Sequence, residues 1–486
     1  MNLNRIYDWA RRQPDKVALV HNGMPVDYLT FARAIEAQRL FFEGKNMPAA
    51  GRPAVVAVAN VADSWFIVLA LQALGFDTLC VPSLAALTPL DAKEMACLVV
   101  TEAEQAGKPL DISVARGAPL IVVPRMRPLE IDADRLPLQT RQPGGHILYT
   151  SGTTGQNKKL LLDAATTEQR TLRQLGIRSF TADMVFHCGG FGLWAAAGWS
   201  LPNDAWHVGG TAVIDQRPDS IRHFLEHGVN RAFFTPPMLK ELLDLRGEAA
   251  RPVEGLQIGV GSGFLSLELA ERAFRHLSDD IRIGYGSSEC TLMATSEFRR
   301  EEDLHWLHPA EGRTIEIVDA EDRPCPVGQE GKIRVKLIGG DCSSYIDDEA
   351  ASAEFFRHGY FYPGDLGTFR EDGKFRILGR AGDVLNMQGN KVPVAPIESQ
   401  MQMALGVNAV CLFSGLSDDG KDELVVVIEG DETPDEAQRG AVERAFGKFE
   451  RVRFEVVKAF PRTTGGTQKI MREELRKLVF PRGSLN

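Results

Sequence analysis

His146-Ile147-Leu148-Tyr149-Thr150-Ser151-Gly152-Thr153-Thr154-Gly155-Gln156-Asn157-Lys158-Lys159 is the stretch from which the rest of the chain is read. Its apolar opening, 146–149, predicts a buried strand that empties into a loop. From Thr150 onward, ten residues carry four hydroxyls, two glycines and two lysines. Glycines let a backbone turn sharply and bring N–H groups close to an anion, while hydroxyls and ammonium groups complete a phosphate cradle. A Walker A loop needs Gly, four residues, then Gly-Lys-Ser/Thr. Counting from Gly152 gives Asn157-Lys158-Lys159, which fails at two positions. Read alone, the segment is also compatible with a polar turn between strands.

Composition narrows the class. The 486 residues are 44% hydrophobic and 25% charged, an ordinary globular balance, and the length suggests about three domains. A net charge of −10 argues against a nucleic-acid partner. Seven cysteines, odd in number and widely scattered, suit a reducing cytosol better than a disulfide framework. The start of the chain opens no signal peptide, and its longest apolar region, 65–74, is far too short for a membrane span. A soluble cytoplasmic protein is expected.

Helical spacing is predicted over 6–11, 29–42 and 62–74, with Gly75 capping the third, and strands over 17–20 and 55–58. Residues 101–145, with Pro124, Pro128, Pro137 and Pro143, predict a winding connection. Beyond the loop, strands are expected at 231–234, 256–260 and 281–285, with helices from the turn after 235 to 245 and over 267–277, the latter capped by Ser266. Such βα units gather ligands at the carboxyl ends of their strands, which brings in Gly261 and Ser262.

Five separated motifs carry a family likeness. The 150–159 loop resembles the Thr-Ser-Gly-Thr-Thr-Gly-x-Pro-Lys-Gly signature of the adenylate-forming superfamily, with Asn157 in place of Pro and Lys159 in place of Gly. That superfamily holds acyl- and aryl-CoA ligases, peptide-synthetase adenylation domains and luciferases, and the acyl-CoA ligases are the best match. Tyr285-Gly286-Ser287-Ser288-Glu289 resembles its Tyr-Gly-x-Thr-Glu, and Tyr360-Phe361-Tyr362-Pro363-Gly364-Asp365 its Trp/Tyr-Phe-x-Thr-Gly-Asp, with Pro363 replacing a hydroxyl. Arg376–Asp383 resembles the junction between a large and a small domain, where Gly382 stands at the usual hinge Asp or Lys. Pro461-Arg462-Thr463-Thr464-Gly465-Gly466-Thr467-Gln468-Lys469 resembles the C-terminal Pro-Arg-Thr-x-x-Gly-Lys motif, in a lengthened form. Two further stretches look similar: Phe186–Trp194 to an aromatic-rich acid-binding motif, and Val384–Val392 to a loop serving a thioester step.

The resemblance implies an α/β fold. A large N-terminal domain of layered, doubly wound subdomains (1–380) would bind nucleotide and acid, and a small mobile α+β domain (381–486) would carry Lys469. Thr150, Ser151, Gly152, Thr153, Thr154, Gly155 and Lys158 would hold the β- and γ-phosphates of ATP. Glu289, with Thr150, would hold Mg²⁺, and Tyr285 would stack on adenine beside Gly286, Ser287 and Ser288. Asp365 would accept the ribose hydroxyls, Arg380 would contact ribose or phosphate, and Gly389 and Lys391 would enter for the second step. His187 would sit beside the substrate carboxylate, and Lys469 would bridge carboxylate and α-phosphate.

The activity implied is ATP-dependent ligation of a small carboxylic acid to coenzyme A through an acyl-adenylate. Cys188, Phe191, Trp194, Phe233, Phe234, Leu292 and Met293 suggest an uncharged acid pocket, and 186–194 holds no Asp to pair an α-ammonium. Only 17 residues follow Lys469, too few for a fused carrier domain, although a free carrier protein stays open as acceptor. The substitutions at Asn157, Pro363 and Gly382 keep a third reading in view, an adenylate-binding protein that makes no thioester.

Overall fold

A computed structural model describes residues 3–45, 47, 51–84, 87, 95–107, 117–139, 141–150, 158–178, 180–217, 219–387, 390–405, 407, 409–416, 422–446, 451–462 and 470–480. Two sheets share one layer of helices. The first places Leu120–Val123, Cys97–Thr101, Ala54–Val56, Thr78–Cys80 and His146–Thr150 side by side in parallel, closed by the antiparallel Lys158–Leu162. The second runs in parallel from Val17–His21 through Thr211–Ile214, Val185–His187, Arg231–Phe234 and Gln257–Val260 to Asp280–Ser287. There the direction changes. Antiparallel pairing carries it on through Thr291–Glu297 and Trp306–Pro309 into a region containing Phe375–Arg380, Asp365–Phe369 and Gly331–Lys336.

Helices Tyr28–Glu43, Val61–Ala73 and Ala196–His207 fill the space between the sheets. Val61–Ala73 is apolar all round, as a helix with sheets on both sides must be. Asn60 starts it by accepting the Asp63 N–H at 3.0 Å, and Gly75, at φ +89°, lets the chain turn away at its end. Trp65 stacks on Trp199 (ring centroids 5.0 Å) and meets Trp206 edge-on, and His146 lies 4.0 Å from Trp199. The strand His146–Thr150 is therefore bound to the deepest part of the core.

The elements expected at 6–11, 29–42, 62–74, 231–234 and 267–277 form, each within a few residues of its expected ends. Two expectations need correction. The 101–145 connection is not wholly winding: Leu120–Val123 is a strand of the first sheet, between prolines at 119 and 124, and a helix spans Glu102–Gly107. The 55–58 strand ends at Val56: Ala57 makes one last bond to the neighbouring strand, its N–H to Val99 O at 2.9 Å, and Ala57 and Val58 stay buried beyond the ladder.

C-terminal to this, strands Val410–Leu416, Asp422–Glu429 and Arg451–Val457 form a separate sheet, with helices Val394–Leu405, Glu436–Phe446 and Arg472–Val479 against it. Its apolar clusters draw only on residues from Leu385 onward, and the others end at Ile377. Among the described residues no helix is long and apolar enough to cross a membrane.

Candidate active site

Thr150 and Lys158 face each other across the last rung of an antiparallel strand pair, so the two strands flank residues 151–157, where the phosphate loop is expected. Ser151, Gly152, Thr153, Thr154 and Gly155 lie outside the described residues, as do Gly389 and Lys469 and the side chain of Lys391. Lys158 is 8% exposed. Its ammonium sits 3.5 Å from the centre of the Phe355 ring and 5.0 Å from that of Tyr345. Burial lowers its pKa, against the opposing pull of Glu354, Glu289 and Asp348, and Arg380 adds to the lowering. Lys158, Glu289 and Arg380 thus share one electrostatic environment.

Glu289 follows the strand Asp280–Ser287 in a tightly held turn. Its carboxylate Oε1 accepts the Tyr345 hydroxyl at 2.8 Å. Its carbonyl accepts Arg170 Nη2 at 2.6 Å and the Cys342 N–H at 3.0 Å. Arg170, fully inside, also donates to Ser288 O (2.9 Å) and Gly340 O (2.6 Å). Arg313 holds the next carbonyl, that of Cys290, and pairs with the buried Asp341 at 2.5 Å. A Cβ on Gly286 would come within 2.4 Å of Thr291 O, so only glycine allows the two arms of the turn to approach this closely.

Asp365 joins the other side of the site. The Tyr285 hydroxyl donates to Oδ2 at 2.5 Å, and Arg380 Nε lies 3.1 Å from Oδ1. Arg380 also donates to Pro363 O. Burial and the facing Asp365 push the Tyr285 phenol far above its usual range, so it stays a donor. A carboxylate offers about four lone-pair sites, leaving acceptor capacity for a diol. Gly261 abuts Gly284 O and the Phe233 ring, and Ser262 adopts φ +64°, a strained backbone of the kind found at ligand clamps.

His187 is elsewhere. Along Val185–His187 it faces the same side as Ala232, Phe234, Ile258 and Val260, and its ring centroid lies 5.0 Å from Phe224 and 6.0 Å from Phe234. Burial drives its pKa down to about 4, and neither nitrogen has a hydrogen-bond partner among the described residues. The structure does not bring it to the Tyr285–Glu289–Asp365 cluster. Strand alternation likewise separates the expected acid-pocket residues. Phe233 turns toward Phe191 and Gly261, whereas Phe234, Cys188 and Met293 are core.

Tyr345, Phe355, Arg170, Arg313 and Asp341 were not singled out from the sequence. One signal was readable. Thr167, Arg170, Thr171 and Gln174, all buried, recur at i, i+3, i+4 and i+7 of helix Ala164–Arg178.

A family model described as AMP-binding enzyme matches residues 6–339. The chain belongs to the AMP-binding enzyme family. Among curated relatives of this AMP-binding enzyme, the mitochondrial acyl-coenzyme A synthetase ACSM3 of Pongo abelii is 25% identical over 359 residues, 68% of this chain and 60% of that protein. Pyochelin synthetase PchF of Pseudomonas aeruginosa is 24% identical over 282 residues, 53% of this chain and 15% of that protein. The chain spans less than two thirds of the length of the curated relatives it matches. Among solved structures, O-succinylbenzoate coenzyme A synthetase (MenE) of Bacillus subtilis, in complex with ATP and magnesium ion, superposes with a TM-score of 0.78 at 19% identity. That match covers 97% of this chain and 99% of the other, and shows the shared fold.

Proposed function

We propose that this AMP-binding enzyme is an acid–thiol ligase of the cytosol that activates a small carboxylic acid as its acyl-adenylate and passes the acyl group to coenzyme A. The observation that carries the reading is the convergence of Lys158, Glu289, Tyr285, Asp365 and Arg380 in one connected cluster. Their chemistry matches the parts of a nucleotide: cations for phosphates, a carboxylate for a diol, a flat phenol for a base. Glu289 and the Thr150 hydroxyl are hard oxygen donors, the set that Mg²⁺ accepts alongside substrate phosphates. Among the described residues no cluster of three or more His, Cys, Asp or Glu offers an all-protein metal cage, so phosphate oxygens would complete the shell. When bound, the ion would offset charge on the triphosphate.

In the first half-reaction the acid carboxylate attacks the α-phosphorus of ATP and pyrophosphate leaves. Little covalent work falls to the protein, so positioning and charge stabilisation dominate. The hairpin loop and Lys158 hold the β- and γ-phosphates, Asp365 and Arg380 fix the ribose, and Lys469 bridges carboxylate and α-phosphate. A thiol then attacks the acyl carbon and AMP departs.

The direct test is Lys469→Ala. Acid-dependent pyrophosphate exchange should fall by roughly 10²–10³, about 2.7–4 kcal/mol in the barrier, while synthetic acyl-adenylate is still turned into thioester. Equal loss of both steps would refute this division of labour. The likeness to part of pyochelin synthetase favours a second reading, in which the acceptor is the thiol of a carrier protein. Thioester formation with coenzyme A alone, and then with a carrier, separates the two.

A further inference from the structure

We propose that Tyr345 is a positioning residue that couples the phosphate-loop lysine to the metal-binding carboxylate. This rests on the nucleotide reading above and goes beyond it. Four contacts carry it. At one end of the segment 342–346 the Cys342 N–H bonds Glu289 O at 3.0 Å, and at the other the Ile346 N–H bonds Lys159 O at 2.9 Å. Lys159 and Ile346 also pair as an antiparallel bridge, so the segment is stitched to the phosphate hairpin itself. Between these ends Tyr345, 6% exposed, donates its hydroxyl to Glu289 Oε1. The same ring offers its face to the Lys158 ammonium, with Phe355 packed edge-on against it at 6.0 Å.

Each contact has a distinct physical consequence. An ionised carboxylate only accepts hydrogen bonds, so the phenol fixes which oxygen of Glu289 is occupied and which is presented to an ion. Such outer partners orient a ligating carboxylate and raise its effectiveness. The aromatic faces attract the ammonium and hold it beside the loop while it is partly stripped of water. Tyr345 thereby touches two charges of opposite sign that must meet the same triphosphate, sharing the ammonium with Phe355.

The test is nucleotide binding by calorimetry with ATP in EDTA and across a Mg²⁺ titration, using wild type, Tyr345→Phe, Tyr345→Leu and Glu289→Gln. Tyr345→Phe keeps the ring and should leave metal-free ATP affinity unchanged, while lowering the Mg²⁺-dependent gain by roughly 10–100-fold. Tyr345→Leu should weaken metal-free binding as well. In the Glu289→Gln background Tyr345→Phe should add nothing, because the hydroxyl acts through that carboxylate. Phe355→Leu is the second variant: it removes the aromatic face nearer the ammonium, at 3.5 Å, and should lower metal-free affinity with the Mg²⁺ gain intact. A Tyr345→Phe protein with wild-type Mg²⁺ dependence, or an effect that adds in full to Glu289→Gln, overturns the coupling. A wild-type protein that binds no ATP in either buffer fails the nucleotide reading itself, and this inference with it.

Discussion

His146 and His187 are both enclosed in the core, and burial lowers each pKa from 6.5 to about 4. His146 donates Nε2–H to Leu193 O at 2.8 Å, and its Nδ1 accepts the Thr78 hydroxyl at 2.9 Å, an arrangement that uses the neutral ring. His187 is neutral because burial penalises its charged form, against the opposing pull of Asp215. Above pH 6.5 neither ring binds a proton in either state, and their contribution is complete. As pH falls from 6.5 toward 4, the unfolded chain takes up protons that the folded chain refuses, so stability drops through that window. Each ring accounts for on the order of 3 kcal/mol. Urea midpoints should therefore fall steeply between pH 6.5 and 4, and His187→Phe, which suits the surrounding Phe224 and Phe234, should flatten the slope. An unchanged slope would show that His187 already carries a proton in the fold. At this scale the sequence exposed motif residues and concealed orientation. Tyr285, Asp365 and Arg380 are joined by direct contacts and Glu289 shares the field at Lys158 with Arg380, but His187 owed its place to a strand's alternation, which the glycines after it obscured.

The helix Ala164–Arg178 shows why whole elements can be misread. Its buried stripe is Thr167, Arg170, Thr171 and Gln174, while Leu172 is 52% exposed, the inverse of an ordinary amphipathic pattern. Hydropathy assigns that polar stripe to water. In fact Arg170 uses it to reach the carbonyls of Ser288, Glu289 and Gly340, of which that of Glu289 also accepts the Cys342 N–H. Removing a guanidinium from such a place leaves buried acceptors unsatisfied, each costing about 1–3 kcal/mol. Arg170→Met should lower unfolding free energy by roughly 3 kcal/mol by urea titration, and Arg170→Lys should recover little, since an ammonium cannot span the planar fork. Full recovery with Lys would mean that charge rather than geometry matters. The elements read correctly from sequence, such as 231–234 and 267–277, follow periodic apolar spacing. Leu120–Val123 did not declare itself because prolines bracket a run of only four residues, too short to show a period.

Across the whole molecule, the apolar clusters part on either side of Arg380–Asp383, and we propose the boundary there, with 1–380 and 381–486 as the two bodies. The residues flanking Gly382 are each tied to a different side. Arg380 pairs with Asp365 at 3.1 Å, while Asp383 lies 3.7 Å from Arg472, which is itself bonded to Glu398 at 2.6 Å. Gly382 stands between two anchors, and a Cβ placed on it meets nothing within 4 Å. Its φ lies outside the left-handed region, so alanine fits the present conformation and, by restricting the unfolded chain, should stabilise the protein by about 0.4–1 kcal/mol. If rotation toward the thioester step carries residue 382 to positive φ, alanine penalises only that second state, by roughly 1–2 kcal/mol. Gly382→Ala should then leave acid-dependent pyrophosphate exchange at the wild-type rate and slow conversion of preformed acyl-adenylate to thioester by about 5–30-fold. Parallel assays of the two half-reactions decide it. Two unchanged rates would place the pivot outside residue 382, and a slowed exchange with normal thioester formation would reverse which of the two states the described conformation represents.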